Sequence, residues 1–534
     1  MTFKVKECFS KKSVLLTGGT GFLGKVIIEK LLWTIEDIGK IYLIIRPHKG
    51  KEPNERMEKM LEDPLFGRLH EYKPEAFDKL VPISGDMMEK DLGIKPEDVE
   101  TICKEVSIVI HSAATVKFDE HLRDAINMNV LGTTKMISLC KKITKLVSFV
   151  HVSTAYANCD RFETVEQIYT PPMDPQKLID ALDVLDNESL DKILPKILGE
   201  RPNTYTLTKA LAETQMEREG RGLPVVIIRP SIVGAMWGGP LPGWTDNING
   251  PTGIFAAVGK GVLTNMCGSV TSKADIIPVD VVANMIIVAA AQRSTDKSKD
   301  IPVMHCSSGE LNPLYWETVV VFLEQFYKTY PMEECYGIPS TQFHQNRKFF
   351  LANYYLKHHI PAKALDMASA SIGYKQSNVR LYGKIWKMIE TLHFFTTRGW
   401  KFSSKGLPDL WNKMSQEDKR TFNFDIRSLD WESYLFDYVM GIKKYILKEK
   451  VDDLANSRRT LDRLRFQRAC VAGIGYYLTL RVVGPRWRTT TRWATWAIAM
   501  LSTFTYTEVN FRRIVALKSL EEYKRNADFR HHLE

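Results

Sequence analysis

The 534-residue sequence predicts an α/β protein, a Rossmann-type doubly wound parallel sheet followed by a mostly helical C-terminal region. Three observations carry that expectation. Short β-branched runs alternate with helical patterns over the first 300 or so residues. A glycine-rich turn follows the first of those runs directly. Beyond Met304-His-Cys-Ser-Ser-Gly the composition shifts to aromatic-rich helical stretches.

The strands expected in chain order are Ser13–Thr17, Ile41–Ile45, Leu80–Ser84, Ser107–His111, Leu146–Ser153 and Val225–Arg229. Each is short and apolar nearly throughout, as strands covered on both faces should be. Helix is expected over Phe22–Trp33 after the first strand, and over Leu314–Tyr330, Gln376–Phe395 and Trp431–Lys448 in the second half. No internal repeat or low-complexity tract is visible. The resulting division is a nucleotide-binding domain over 10–300, a helical domain over 310–450 and a basic-apolar segment over 458–513.

Composition excludes several classes. Apolar residues make up 44% and charged residues 25%, the mix of a globular chain. Eight cysteines form no C-x-x-C pair, which argues against a disulfide scaffold or zinc cluster and leaves no metal site expected. The charged N-terminus carries no secretory signal, so an intracellular setting is expected. The net charge of +10 is concentrated: residues 458–513 hold eleven arginines and no lysine against Asp462 and Glu508. A basic excess confined to one segment does not call for nucleic acid as a partner.

Thr17-Gly-Gly-Thr-Gly-Phe-Leu-Gly24 sits between strand and helix at the chain start. Gly18 suits the tight turn, Gly21 the close approach of backbone to a pyrophosphate, and Gly24 the packing of helix on strand. Thr20 and Phe22 share that turn and count among the cofactor-binding residues. An NAD site places an acid at the end of the second strand, but here the strand runs into Arg46, with Lys49 behind it. A guanidinium can clasp a 2′-phosphate, so NADPH is the expected cofactor. Asp86 after the third strand suits an adenine-edge contact, and Ala113 in His111-Ser-Ala-Ala the cofactor channel; both positions also suit turning loops.

Tyr205 and Lys209 fall at i and i+4, on one face of a helix. Lys209 is expected to lower the phenol pKa, letting Tyr205 exchange a proton near neutral pH. Upstream, His151-Val-Ser-Thr-Ala-Tyr156 puts hydroxyls at a strand's carboxyl end. The order of glycine turn, strand-end hydroxyl and Y-x-x-x-K resembles the extended short-chain dehydrogenase/reductase family. That resemblance implies a Ser/Thr polarising the carbonyl, the Tyr as acid, and the Lys holding ribose. Thr154 aligns to the hydroxyl, with Ser153 one register step away, and Asn129 to the family's helix asparagine.

Thr154 and Tyr205 are 51 positions apart, about twice the separation in sugar-nucleotide reductases of that family. The connection near 160–200 is therefore expected to act as a substrate lid, or as a structural cap over the sheet edge. These motifs, with Pro242-Gly-Trp-Thr-Asp-Asn-Ile-Asn-Gly-Pro-Thr-Gly253, Asp275-Ile-Ile-Pro-Val-Asp280, Phe394-Phe-Thr-Thr-Arg-Gly-Trp400 and Asp430-Trp-Glu-Ser-Tyr434, resemble the fatty acyl-CoA reductases over roughly residues 10–450. The second half is similar to that family's sterility-type domain. The resemblance implies reduction of a long-chain acyl-CoA to a primary alcohol with two NADPH. The alternatives are an extended reductase acting on a sugar nucleotide or hydroxysteroid, or a non-catalytic lipid-binding scaffold that has kept the fold.

The uncharged stretches Ala469–Leu480 and Trp493–Thr507 are too short to span a bilayer. Their tryptophans and flanking arginines fit either an interfacial anchor on a cytosol-facing membrane surface, of the endoplasmic reticulum or peroxisome, or an amphipathic helix packed on the protein itself.

Overall fold

The structure, a computed structural model, describes residues 3–371, 373, 377–450, 454–483, 489–509 and 519–526. Its centre is a seven-stranded parallel sheet: β1 Ser13–Thr17, β2 Ile41–Ile45, β3 Leu80–Ser84, β4 Val106–His111, β5 Ser148–Val152, β6 Val225–Pro230 and β7 Val303–Cys306. The spatial order is β7-β6-β5-β4-β1-β2-β3, the doubly wound arrangement expected. β1, β2, β4, β5, β6 and β7 are buried throughout, which explains their unbroken apolar character. β5 is shorter than the expected Leu146–Ser153. β7 escaped the sequence reading because Met304-His-Cys lacks β-branched residues, yet it pairs with β6 in register from Val303↔Ile227 to Cys306↔Pro230.

The helices used below are, in chain order, α1 Phe22–Thr34, α2 Pro175–Val184, α3 Asn187–Leu198, α4 Thr204–Glu219, α5 Val279–Thr295, α6 Arg347–Tyr354, α7 Ile360–Ser371, α8 Asn378–Thr397, α9 Trp431–Gly441, α10 Leu454–Val483 and α11 Thr489–Val509. Their starts follow from capping. Asp174, Asp186, Asn203 and Asp430 accept first-turn amides from Gln176, Ser189, Thr206 and Ser433. Proline at N1 of α2 adds to the start there. α5 is apolar on every side and accordingly lies inside, buried from Val279 through Ala291.

The second half of the chain is built into the first. Lys401–Phe402 pairs with Glu163–Thr164, and Gln342–His344 with Asn265–Cys267. Tyr434 on α9 donates to the Ala235 carbonyl, and one hydrophobic core runs from Val14 and Leu16 on β1 to Leu435 and Val439 on α9. The Glu166 carboxylate accepts the amides of His305 and Gly406, both at 2.8 Å, so β7 and the later chain share one anchor.

Beneath the carboxyl ends of β5 and β6 lies a fully buried ion pair. Arg229 Nε and Nη2 donate to the two Glu213 oxygens at 2.9 and 2.6 Å, and Arg229 also donates to the Gln167 carbonyl. Glu213→Ala leaves that guanidinium uncompensated. We expect a loss of about 3–5 kcal/mol, read as a lower urea midpoint; an unchanged midpoint would remove the pair from the list of structural determinants.

Candidate active site

In a doubly wound sheet the ligand crevice opens where strand order reverses, here between β1 and β4. The chain turns there through Gly18 with φ 75°, where a Cβ would lie 2.9 Å from the Ala113 nitrogen. A Cβ on Gly24 would lie 2.2 Å from the Gly18 carbonyl oxygen, so α1 approaches β1 this closely only with glycine. Gly21 caps α1 and is exposed, and the first-turn amides beyond it have no intrahelical acceptor. Thr17 Oγ1 accepts the Ala113 amide at 3.1 Å and bonds His111 Nδ1 at 2.7 Å, holding the 111–114 loop on the glycine turn. The Phe22 ring packs on Trp244 with centroids 5.3 Å apart, which leaves its backbone as its contribution to the turn.

Arg46 and Asp86, expected as separate cofactor contacts, face each other at 3.7 Å across the ends of β2 and β3. Beside the glycine turn a cavity of about 540 Å³ is lined by Thr20 together with His48, Lys49, Lys51, Arg56 and Lys59. Glu62 and Asp63 line the same space but are outnumbered by the bases, and burial foremost, then the Arg46 charge, lowers the Arg56 pKa.

After β5 successive side chains alternate in direction. Ser153 Oγ donates to Glu213 and is thereby taken up by the buried ion pair. Thr154, extended at φ −149°, faces the other way: it donates to the Pro230 carbonyl at 3.4 Å, accepts the Tyr156 amide at 3.3 Å, and lines the same cavity as Tyr205. The structure thus separates the two candidate hydroxyls, with Thr154 beside the tyrosine. Lys209, one turn along α4, is buried and donates to the Val152 carbonyl at 2.7 Å. Asn129 holds the Thr115 amide at 2.9 Å and donates to Thr208 at 3.0 Å, tying the loop after β4 to α4.

The electrostatics differ from expectation. Burial pushes the Tyr205 phenol up to about 12, and the Thr154 hydroxyl only partly offsets it. Lys209 does not depress that phenol. Burial lowers the lysine itself to about 8, against the opposing pull of Glu213. His111 and His151 lie near Lys209 with ring centroids 5.6 Å apart, and burial, reinforced by the lysine charge, holds both neutral.

Thr154 and Tyr205 open onto a largely apolar cleft of about 570 Å³. Its floor adds Tyr156 and Ile232, its wall Ile248 and Ile254, and its roof Met388, Leu392 and Phe395 of α8. Phe118 stacks on Tyr205 at 5.8 Å and meets Phe395 at 5.5 Å, closing the floor to the roof. The 160–200 connection, expected as the lid, does not line this cleft. Its Leu178, Leu182, Leu190 and Ile197 are consumed against Leu122, Ile126, Val130, Leu207 and Leu211. Sequence reading placed a helix over Gln376–Phe395 but did not mark α8 as the roof, because a roof residue looks like any helix-face apolar residue. It also missed Lys25, Asp63 and Asp246, a buried ionic cluster joining α1 to the loop before the cleft wall, with Lys25 Nζ 2.7 and 2.8 Å from the two carboxylates. An acid inside the apolar Pro242–Ile248 run was its one visible signal.

Comparison with known proteins identifies the family. Two family models, both described as male sterility protein, match residues 16–286 and 357–449; the first is the NAD-binding domain and the second the Sterile domain. The chain is 41% identical to fatty acyl-CoA reductase 1 of Rattus norvegicus over 463 residues, covering 86% of this chain and 90% of the relative. Fatty acyl-CoA reductase 2 of Mus musculus is 39% identical, covering 86% and 89%. Among solved structures, the terminal reductase domain of the myxalamid biosynthetic pathway superposes with a TM-score of 0.54 at 17% identity, covering 83% of this chain and 93% of that one. The reductase domain of a Mycobacterium tuberculosis nonribosomal peptide synthetase gives 0.55 at 18% identity, covering 82% and 94%. Both share the fold.

Adding a Cβ at Gly24 should push α1 off the glycine turn. Gly24→Ala is expected to weaken dinucleotide binding at least tenfold in a fluorescence titration, and undiminished affinity would show that this turn is not the cradle.

Proposed function

The chain belongs to the male sterility family of fatty acyl-CoA reductases, and from that premise we propose that it reduces a long-chain acyl-CoA to a primary alcohol and free CoA, with NADPH as reductant. The observation that carries this reading is an apolar cleft ending on the Thr154–Tyr205 hydroxyl pair, close to the dinucleotide cradle. A sugar nucleotide would call for a polar lining there, so the cleft favours an acyl chain.

The residues fit the cofactor. Gly18 and Gly24, where a Cβ would collide, suit a pyrophosphate, and Arg46, Lys49 and Arg56 would take the 2′-phosphate. Lys209 would hold the ribose hydroxyls. When bound, NADPH supplies the hydride for each of two successive two-electron reductions. Thr154 and Tyr205 donate hydrogen bonds to the carbonyl oxygen as negative charge builds there. Collapse of the thioester adduct breaks the C–S bond, releases the CoA thiolate and leaves an aldehyde, whose oxygen meets the same donors. In the second reduction Tyr205 gives the proton that completes the alcohol. Its raised pKa keeps the phenol in the donor form across the neutral range. No cysteine lines the cleft among the described residues, and none is needed.

We also assign residues 458–513 to a membrane surface. α10 and α11 pack on each other, with Trp496 Nε1 donating to the Gly473 carbonyl at 2.7 Å, and they expose Ile474, Leu478, Trp493 and Ile498. Among the described residues no helix is long and apolar enough to cross a membrane, so the contact assigned is interfacial.

Tyr205→Phe should lower acyl-CoA turnover about 10²–10⁴-fold while NADPH affinity in fluorescence titration stays near that of the parent. Turnover close to the parent rate would refute the assignment. Because Lys209 loses its proton near pH 8, kcat/KM should fall as pH rises through about 8, and Lys209→Met should flatten that limb. A panel of acyl-CoAs with product identification by mass spectrometry tests the reaction itself: primary alcohol is expected, and no thioester reduction would overturn it.

A further inference from the structure

Residues 347–371 and 378–397 form two helical arms that meet along an aromatic seam. Phe350 stacks on Trp386 with centroids 6.1 Å apart, Tyr354 lies 4.7 Å from the same ring, and His358 lies 5.1 Å from Tyr382. The inner stripe Phe350, Tyr354, His358 and Ala362 is buried at four-residue spacing. His358 Nε2 bonds Thr264 Oγ1 at 2.9 Å, which fixes the first arm to the body.

The other sides of the same helices lack such partners. Phe349, Leu356, Ile360, Leu365 and Met367 are 55–67% exposed, and in α7 only Ala362 is buried. Six large apolar side chains, counting Tyr355, thus lie in the open within 19 residues, a density that singly scattered surface residues do not reach. Bases outnumber acids around them, although Arg347 pairs with Glu390 at 3.0 Å and Lys387 with Asp119 at 2.5 Å. Between 347 and 387 the sequence carries eight lysines and arginines and a single acid, Asp366, which accepts the amides of Asn378 and Val379.

The patch adjoins the cleft through α8. Lys384, Lys387 and Met388 line the cleft, while Val379 and Leu381 at the start of the same helix are exposed. Two further cleft residues, Val116 and Ile248, are each 57% exposed and give the mouth an apolar rim.

We infer that the outer side of α6 and α7, with the start of α8, is a membrane-docking face that seats on an anionic bilayer and sets the cleft mouth against the lipid. Exposed apolar side chains enter the interfacial layer while the lysines and arginines meet phospholipid headgroups. A bilayer is favoured over a second copy of the chain because the cationic rim would face itself in a symmetric pair. The inference rests on the acyl-CoA reading only for its purpose; docking is measurable without turnover. It is also separate from the contact assigned to 458–513.

The test uses the full chain with vesicles of phosphatidylcholine alone or with 30 mol % phosphatidylserine, about a third anionic. Hydrogen–deuterium exchange should show protection of residues 355–371 on the anionic vesicles. The triple variant Leu356→Asp, Ile360→Asp, Leu365→Asp should lose that protection and bind vesicles at least tenfold more weakly by flotation. Its turnover of a medium-chain acyl-CoA free in solution should stay unchanged, while apparent KM for a vesicle-borne long-chain acyl-CoA rises several-fold. Unchanged exchange at 355–371 on vesicle-bound protein would overturn the inference. So would a wild-type dimer in light scattering that the triple variant abolishes while vesicle binding persists. Absence of any acyl-CoA turnover by the parent protein would instead count against the reaction, with the vesicle result standing on its own.

Discussion

The buried Arg229–Glu213 pair decides the geometry of everything above it. It joins β6 to α4, and Glu213 also receives the Ser153 hydroxyl at the end of β5. With Ser153 turned inward, the extended backbone turns Thr154 outward, to the face where Tyr205 waits. Tyr205 and Lys209 sit two and one turns before Glu213 on the same helix. A single low-dielectric ion pair therefore aligns three side chains from two elements. The penalty of burying those charges is offset by their mutual bidentate contact and by the Val165 carbonyl, the Gln167 carbonyl and His305 Nε2, which meet the remaining three guanidinium protons.

Local signals carried most of the sheet. Ser13–Thr17 and Ile41–Ile45 begin and end where their apolar runs do, because a strand buried on both faces has no other composition open to it, and the partly buried edge strand Leu80–Ser84 matches its run as well. The glycine turn was equally legible, since only glycine tolerates the approach of Gly24 to the Gly18 carbonyl. Legibility ended where long-range packing decides. Met304-His-Cys reads as a loop and is a strand only because β6 offers it an edge. The leucines of the 160–200 connection look like a lid and are spent on Leu207 and Leu211 of α4. The sense of the Tyr205 shift was beyond reach for the same reason. Spacing placed an ammonium one turn away, but burial raises the phenol and lowers the lysine, and the lysine contributes nothing to the Tyr205 shift.

Charge gives a similar lesson. The whole-chain excess pointed to 458–513, and the remainder looked ordinary because acids elsewhere cancel the bases of 347–387. Folding separates what addition merges. The bases of 347–387 stand beside an apolar surface; Arg347 and Lys387 pair with Glu390 and Asp119, while most of the acids that balance the total lie elsewhere in the chain.

The cleft has a floor from Thr154, Tyr156 and Tyr205 and a roof from Met388, Leu392 and Phe395. During synthesis the ribosome delivers the floor first. At roughly 5–20 residues per second, on the order of 10–50 s separates the emergence of Tyr156 from that of Phe395. Through that interval the sheet is still gaining β6 and β7, and Phe118, Tyr156 and then Ile232 have no roof above them. A nascent chain of this protein is thus a half-built sheet with an open greasy face. The time it spends in that condition is set by the distance in sequence between floor and roof, a property of topology rather than of stability.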